Sequence, residues 1–309
     1  MLTRGRHLDS HVSSISSRVV HFITFRPFHQ GETPASHVLD GVLEFLMREG
    51  DPRAIALRQR FVFKLVPMLN PDGVYRGHFR ADSRGVDLNR SYATATAEEQ
   101  PSTYAVMALV RQLHERGALW AYIDCHAHSN QRGCFFYANA LGSDALKREA
   151  TLYSQLVGLN ARWFETGSCS WRASAQRGGN AGSARSAIFA ATGLPLVFTL
   201  ECNYDSPTDT GIDALVLPEG PINYWQLPGS RPTAGAADDA DPPLEHGTPT
   251  KYTPASWREV GRGLALAALD MSGANPASRL GPSDEDGLEK MHASAPTFKS
   301  YLDEEDDDG

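Results

Sequence analysis

The sequence predicts an α/β fold: a mixed, mostly parallel twisted sheet with helices on both faces. Short apolar segments rich in β-branched and aromatic residues alternate with longer segments of helical periodicity, which is the pattern of βαβ units. The apolar segments are continuous rather than alternating, as expected for strands that are covered on both sides. A chain of 309 residues with 41% hydrophobic content can bury one large core.

The first elements are predicted as follows. SRVVHFITF, residues 17–25, is a strand because β-branched and aromatic residues dominate it. HVLDGVLEFLM, residues 37–47, has its apolar residues at helical spacing, and Ser36 is a suitable N-cap. RFVFKLVPMLN, residues 60–70, predicts a strand buried on both faces. NPDG, which starts at Asn70, has the residues of a tight turn.

The second half continues the alternation. A helix is predicted over residues 104–116, and LWAYIDCHAH, residues 119–128, is a second buried strand. Another helix covers about 143–160. LPLVFTLECNY, residues 194–204, is a third buried strand, and WREVGRGLALAALDM, residues 257–271, is the closing helix.

These elements form one predicted domain over residues 15–272. Residues 228–250 contain mainly Pro, Gly, Ala and Asp without periodicity, which predicts a disordered surface loop. Residues 273–309 are predicted to be an acidic disordered tail, and every position from 303 to 308 is a carboxylate.

Composition excludes several classes of function. The formal charge of −8 argues against a protein that binds nucleic acid through a general basic surface. No window approaches 18 consecutive apolar residues, so we expect no membrane-spanning helix. The N-terminus, MLTRGRHLDSHVSS, lacks the apolar core of a secretory signal, and the four cysteines form no CxxC pair. We therefore expect a reduced, cytoplasmic protein.

Histidine and glutamate residues follow the ends of three of the four predicted strands. His29 and Glu32 follow the strand at 17–25, His126 lies at the end of the strand at 119–128, and Glu201 lies at the end of the strand at 194–204. Ligands of open α/β sheets gather at the carboxyl ends of the strands. His29, Glu32 and His126 are a ligand combination for one catalytic zinc ion with an open fourth position. Glu201 would be the general base. HxxE alone is a weak indication, and it gains weight only from the other two strand ends.

Four arginines follow the strand that ends near residue 70: Arg76, Arg80, Arg84 and Arg90. They fit a solvated loop equally well on their own. Beside a zinc site, however, the planar guanidinium suits a carboxylate substrate, which it can bind through two parallel hydrogen bonds.

Five segments in this order resemble the zinc metallocarboxypeptidases and, within them, the cytosolic carboxypeptidase branch: HQGETPAS, LNPDGVYRGHFR, RGVDLNRSY, DCHAHSNQRGCFFYAN and FTLECNY. The resemblance implies a metallocarboxypeptidase-like fold in which His29, Glu32 and His126 bind zinc and Glu201 is the catalytic glutamate. This branch has a further domain and further strands ahead of the metal motif, so the resemblance predicts an N-terminally truncated version of the fold.

The resemblance also implies roles in substrate binding. Arg80 corresponds to the arginine that polarises the scissile carbonyl, and Asn89 and Arg90 to the pair that holds the terminal carboxylate. Arg185, in GSARSAIF, would give the side-chain pocket a positive charge. A cationic pocket favours a terminal glutamate, and this branch trims polyglutamate from tubulin tails.

Three functions remain open at this point. The first is a carboxypeptidase acting on glutamate-rich protein tails, with tubulin as the expected partner and a cytoplasmic, microtubule-associated location. The second is a zinc-dependent deacylase of N-acyl amino acids, and the third is a non-catalytic binder of acidic tails. Near the site, Asp124 is expected to orient a ligand histidine or cap a turn. Tyr204 is a candidate for an acid-assisting tyrosine.

Overall fold

A computed structural model describes residues 20–25, 31–171, 182–207 and 251–280, the first of these ranges as backbone only. The described chain forms five strands: β1 (Val20–Phe25), β2 (Phe61–Val66), β3 (Leu119–His128), β4 (Cys134–Tyr137) and β5 (Val197–Asn203). It also forms seven α-helices: α1 (Thr33–Leu46), α2 (Pro52–Arg60), α3 (Pro71–Arg76), α4 (Pro101–Glu115), α5 (Asp144–Asn160), α6 (Ala184–Thr192) and α7 (Pro254–Met271). Two short 3₁₀ turns cover Leu88–Arg90 and Thr166–Ser168.

The five strands form one sheet in the order β2-β1-β3-β5-β4. β1 pairs in parallel with β2 and β3, and β3 pairs in parallel with β5. Only β4 is antiparallel, at the far edge. The predicted mixed, mostly parallel sheet is confirmed, and the carboxyl ends of β1, β3 and β5 lie side by side.

Helices cover both faces of the sheet, as predicted. On one face, α1, α5 and α7 bury alternate residues of the strands, including Cys125, Phe136 and Leu200. On the other face, α4 and α6 cover Tyr122 and Val197. The second face continues toward the strand ends as the floor of a pocket.

Helices α1 and α7 approach each other through two glycines. A Cβ atom on Gly41 would overlap the carbonyl group of Arg258, and one on Gly261 would overlap the carbonyl group of Val38. The two backbones can reach this separation only because neither position carries a side chain. This contact fixes α1, whose N-terminus leads into the candidate site.

Several local predictions were wrong. Helix α1 begins at Thr33 rather than after Ser36, because Pro34 suits the first turn of a helix. β2 is an edge strand and is mostly half-buried rather than covered on both faces. The NPDG segment begins helix α3, with Asn70 as N-cap: its side-chain oxygen accepts a hydrogen bond from Gly73 N at 3.1 Å. α2, α6 and β4 were not predicted.

The packed chain extends past the domain boundary predicted at residue 272. Ala274 and Leu280 pack against the core, and Arg279 Nη1 donates to the carbonyl of Leu159 at 2.8 Å. The predicted loop at 228–250 lies outside the described residues, and so does the acidic tail from 281 onward. None of the helices described is long and apolar enough to cross a membrane.

Candidate active site

A cavity of about 310 Å³ lies at the carboxyl ends of β3 and β5. The strand register explains its composition. His126 lies beside Glu201, and Tyr137 lies beside Thr199, so these side chains leave the same face of the sheet. All four line the cavity. The loop between α3 and α4 and the start of α6 supply the remaining walls, which contain Arg80, Asn89, Arg90, Ser183 and Arg185.

Glu32 and His126 form the centre of the predicted metal site. His126 Nδ1 lies 2.8 Å from Glu32 Oε2, and the backbone N–H of Ala127 donates to the same oxygen at 3.4 Å. Glu32 occupies the N-cap position of α1 but makes no capping bond with its side chain. Its carboxylate points across the site instead. His29, the third predicted ligand, lies outside the described residues.

Asp124 lies on the opposite side of the His126 ring, with Oδ2 2.9 Å from Nε2. The two groups form an ion pair when His126 is protonated, and within the described part of the chain neither carboxylate oxygen of Asp124 accepts a further hydrogen bond. Burial lowers the pKa of His126, but the carboxylates of Asp124 and Glu32 outweigh it and raise this pKa well above its usual value. The predicted orienting role of Asp124 agrees with this arrangement.

The described part of the site contains part of a metal donor set. Across 31–171, 182–207 and 251–280, no three His, Cys, Asp or Glu side chains are grouped as a metal centre requires. Two donors nevertheless face each other, Glu32 and the Nδ1 atom of His126. The fully buried Asp124 carboxylate requires a nearby positive charge. A protonated His126 or a cation bound by His126 and Glu32 would supply that charge, so the described residues fit a metal for which His29 is the predicted third ligand.

Glu201 is half-buried on β5 and lies beside His126 in the sheet. Its carboxylate lines the cavity next to Glu32 and His126. Two carboxylates and an imidazole therefore share one wall.

Asp87 holds Arg80 and the Asn89–Arg90 turn together. Its Oδ2 atom accepts a hydrogen bond from Arg80 Nε at 2.6 Å, and its Oδ1 atom accepts one from the backbone N–H of Asn89 at 3.0 Å. One carboxylate thus aligns a guanidinium and caps the 3₁₀ turn. Of the loop arginines, Arg80 and Arg90 line the cavity and Arg76 and Arg84 do not.

Asn89 and Arg90 form the floor near α6. The Asn89 side-chain oxygen accepts from Ala184 N at 2.9 Å, which leaves its amide nitrogen 3.4 Å from His126 Nε2. Arg90 is exposed, and its Nη1 atom donates to the carbonyl of Asn89 at 2.8 Å. Asn89 therefore connects the turn, α6 and His126, the predicted metal ligand.

Arg185, in the first turn of α6, forms the opposite wall. Its Nη1 atom donates to the Ala138 carbonyl at 2.6 Å and to Asn139 Oδ1 at 2.9 Å. Burial lowers the pKa of Arg185, while nearby Glu201 and Tyr137 act in the opposite direction. The structure thus brings together seven of the eight predicted site residues around one cavity.

Comparison with known proteins identifies the family. The zinc carboxypeptidase family model matches residues 26–203, more than half of the chain. The chain belongs to the zinc carboxypeptidase family. Cytosolic carboxypeptidase-like protein 5 of Mus musculus is 30% identical over an alignment that covers 86% of this chain and 38% of that protein. The protein of the same name from Danio rerio is 32% identical and covers 94% and 41%. This zinc carboxypeptidase chain thus spans about two fifths of the length of these relatives.

Solved structures agree with the fold. A metallo-carboxypeptidase from Burkholderia cenocepacia superposes with a TM-score of 0.61 at 19% identity, over 84% of this chain and 58% of that one. At this identity the likeness establishes the metallocarboxypeptidase fold alone. It confirms the fold class predicted from the sequence.

Tyr204 lies directly beyond β5 in this zinc carboxypeptidase. Its side chain is 39% exposed. Burial raises its pKa, and the nearby carboxylates of Glu32 and Glu201 raise it further. Tyr204 is therefore near enough to Glu32 and Glu201 to be affected by their charge, but it does not line the cavity, and its role as an acid-assisting tyrosine remains a prediction.

Three residues near the site were missed in the sequence: Asp87, Tyr137 and Asn139. The order Asp-Leu-Asn-Arg could have revealed Asp87, because an aspartate just ahead of a helical turn is a common N-cap. Tyr137 and Asn139 gave no comparable indication. Their position depends on β4, which only the folded sheet reveals.

Proposed function

We propose that this chain is a zinc-dependent carboxypeptidase that removes glutamate from the C-terminal ends or side chains of acidic protein tails. The observation that carries the proposal is the composition of the 310 Å³ cavity. One wall contains Glu32, His126 and Glu201, and the others contain Arg80, Asn89, Arg90 and Arg185. A hydrolytic centre and several groups that bind carboxylates therefore share one small space.

His29, Glu32 and His126 would hold one zinc ion per chain. When bound, zinc acidifies a water molecule and polarises a carbonyl group. The contact of Asp124 with Nε2 of His126 keeps Nδ1 directed at Glu32. The two carboxylates on either side of the ring also favour a cation between Glu32 and His126.

Glu201 supplies the proton transfers in this proposal. Its carboxylate accepts a proton from the attacking water and donates it to the amine that leaves. Arg80 donates hydrogen bonds to the carbonyl oxygen on which negative charge develops. Arg80 donates a hydrogen bond to Asp87 through Nε, and this bond orients the rest of the guanidinium group, which lines the cavity.

Asn89 and Arg90 would bind the terminal carboxylate of the substrate. Because an internal peptide bond offers no carboxylate at this point, the pair favours cleavage at chain ends or at branched glutamates. Arg185 would bind the side-chain carboxylate of the residue that is removed. Two carboxylate sites for the residue that leaves, one for its terminal carboxylate and one for its side-chain carboxylate, favour a terminal glutamate over an apolar residue.

The names of the relatives support this proposal, because the relatives are named as cytosolic carboxypeptidases. We propose a cytoplasmic location and glutamate-rich protein tails as substrates. Tubulin tails, and with them an association with microtubules, are the specific case that the resemblance favours.

The proposal is tested on purified protein with a peptide that carries several terminal glutamates, read by mass spectrometry. We expect successive losses of single glutamates that stop with 1,10-phenanthroline and return with added zinc. The same peptide with an amidated C-terminus is the matched control, since it removes only the carboxylate, and Glu201→Gln is the inactive control. Cleavage of N-acetylglutamate without loss from the peptide would favour the deacylase. A zinc-loaded protein no more active than Glu201→Gln would favour a non-catalytic binder.

A further inference from the structure

The two ring nitrogens of His128 have different partners. Nδ1 accepts hydrogen bonds from the backbone N–H groups of Asn130, at 3.3 Å, and Gln131, at 2.9 Å. A backbone N–H can only donate, so Nδ1 carries no proton. The neutral ring must then carry its proton on Nε2.

The Nε2–H group of His128 points at the hydroxyl of Tyr137, 3.3 Å away. The Tyr137 oxygen is therefore the acceptor in this bond, and its own proton must point in another direction. The two rings are held in place by Phe135, whose ring centre lies 5.7 Å from that of His128 and 5.3 Å from that of Tyr137. The direction of the Tyr137 hydroxyl is thus set by the backbone turn after β3.

Tyr137 and Arg185 both line the cavity. Tyr137 is the last residue of β4 and is opposite Thr199, which also lines the cavity. The next two residues, Ala138 and Asn139, hold Nη1 of Arg185. Tyr137 is also near enough to Arg185 to influence the pKa of the guanidinium. A hydroxyl donor and a cation therefore face the same space.

We propose that Tyr137 binds the side-chain carboxylate of the residue removed, together with Arg185, and that His128 is the positioning residue for the Tyr137 hydroxyl. A carboxylate can accept a hydrogen bond from both groups at once, whereas an apolar side chain offers them no acceptor. That the residue removed is glutamate rests on the proposed function. The donors themselves would select any side chain of matching length that ends in a carboxylate.

The test measures binding without turnover. In the Glu201→Gln background, calorimetry gives the Kd of two peptides that differ only in ending with glutamate or leucine. We expect Tyr137→Phe to weaken binding of the glutamate peptide roughly tenfold and to leave the leucine peptide within about twofold. Tyr104→Phe, which removes a hydroxyl from a tyrosine 45% exposed on α4, is the matched control and should change neither.

The His128→Asn variant tests whether His128 positions the Tyr137 hydroxyl or only supports the local structure. Its side-chain oxygen can still accept from the backbone turn, but it offers no donor in the place of Nε2. We expect it to reduce the preference for glutamate on its own and to add no further loss to Tyr137→Phe, because His128 acts only through that hydroxyl.

Three results would overturn the inference. They are equal Kd values of the Glu201→Gln parent for the glutamate and leucine peptides, an unchanged preference for glutamate in Tyr137→Phe, and a further loss of glutamate-peptide binding when His128→Asn is added to Tyr137→Phe. Glutamate release by the wild-type chain is measured separately. If that release fails while the preference exists and is lost in Tyr137→Phe, the proposed function is wrong and this inference stands.

Discussion

Replacement of Asp87 is the most informative perturbation of the site. This side chain does not line the cavity, yet it binds Arg80 through one oxygen and caps the Asn89 turn through the other. Asp87→Asn keeps an oxygen that can accept from Asn89 N but loses the charge that pairs with Arg80. Asp87→Ala loses both contacts.

The expected magnitude follows from the contact. A hydrogen bond between charged partners contributes about 1.5–3 kcal/mol when it is protected from water. Here the side chains of Arg80 and Asp87 are 42% and 24% exposed, so solvent screening reduces the loss. A cost of about 1–2 kcal/mol corresponds to a roughly 5- to 30-fold fall in activity.

The assay is steady-state release of glutamate from a peptide with terminal glutamates. Asp87→Asn should lower kcat with little change in KM, because Arg80 acts on the developing negative charge. Asp87→Ala should also raise KM, since the Asn89–Arg90 turn loses its cap. Asp72→Asn removes an equal charge from the exposed surface of α3 and should match wild type. An Asp87→Asn protein within about twofold of wild type in kcat would refute the role given to Asp87.

Three further predictions concern stability and thiol chemistry. Gly261→Ala should lower the free energy of unfolding in urea by about 1–3 kcal/mol, since its methyl group would meet the carbonyl of Val38, whereas Gly142→Ala, which meets nothing within 4 Å, should cost less than half as much. Burial opposes ionisation of Asp51, but hydrogen bonds and charge from Arg53 outweigh it and lower the pKa of Asp51. The free energy of unfolding of wild type should therefore exceed that of Asp51→Asn by its full amount above about pH 4, and this difference should disappear as the pH falls through the lowered pKa. A difference that grows in acid would contradict this. Burial raises the pKa of Cys169 to about 11, so iodoacetamide at pH 8 should modify this thiol far more slowly in the native protein than in urea, and equal rates would contradict its burial.

Much of the fold follows from local sequence. β3 and β5 are continuous apolar segments that end in polar residues, and their positions agree with the prediction within a few residues. The proposed chemistry sits at those ends because parallel strands bring their carboxyl ends to one edge. His126 and Glu201 could be paired in this way before the sheet order was known.

The parts that were missed depend on tertiary pairing. β4 is only four residues long, and nothing in CFFY distinguishes an antiparallel edge strand from part of a loop. Its position brings Tyr137 and Asn139 to the site. The start of α1 was misjudged because Glu32 stands at the N-cap but directs its carboxylate to His126 instead of the helix. At Glu32, the contact with His126 replaces the capping hydrogen bond that an N-cap side chain usually makes.

The most direct test of the central claim measures metal and activity on the same sample. Purified protein, analysed for zinc content, is given a peptide with several terminal glutamates and its amidated counterpart. The account predicts about one zinc per chain, stepwise loss of glutamate from the free peptide only, and loss of both zinc and activity in His126→Ala. A protein that contains one zinc per chain and leaves the free peptide intact would contradict it.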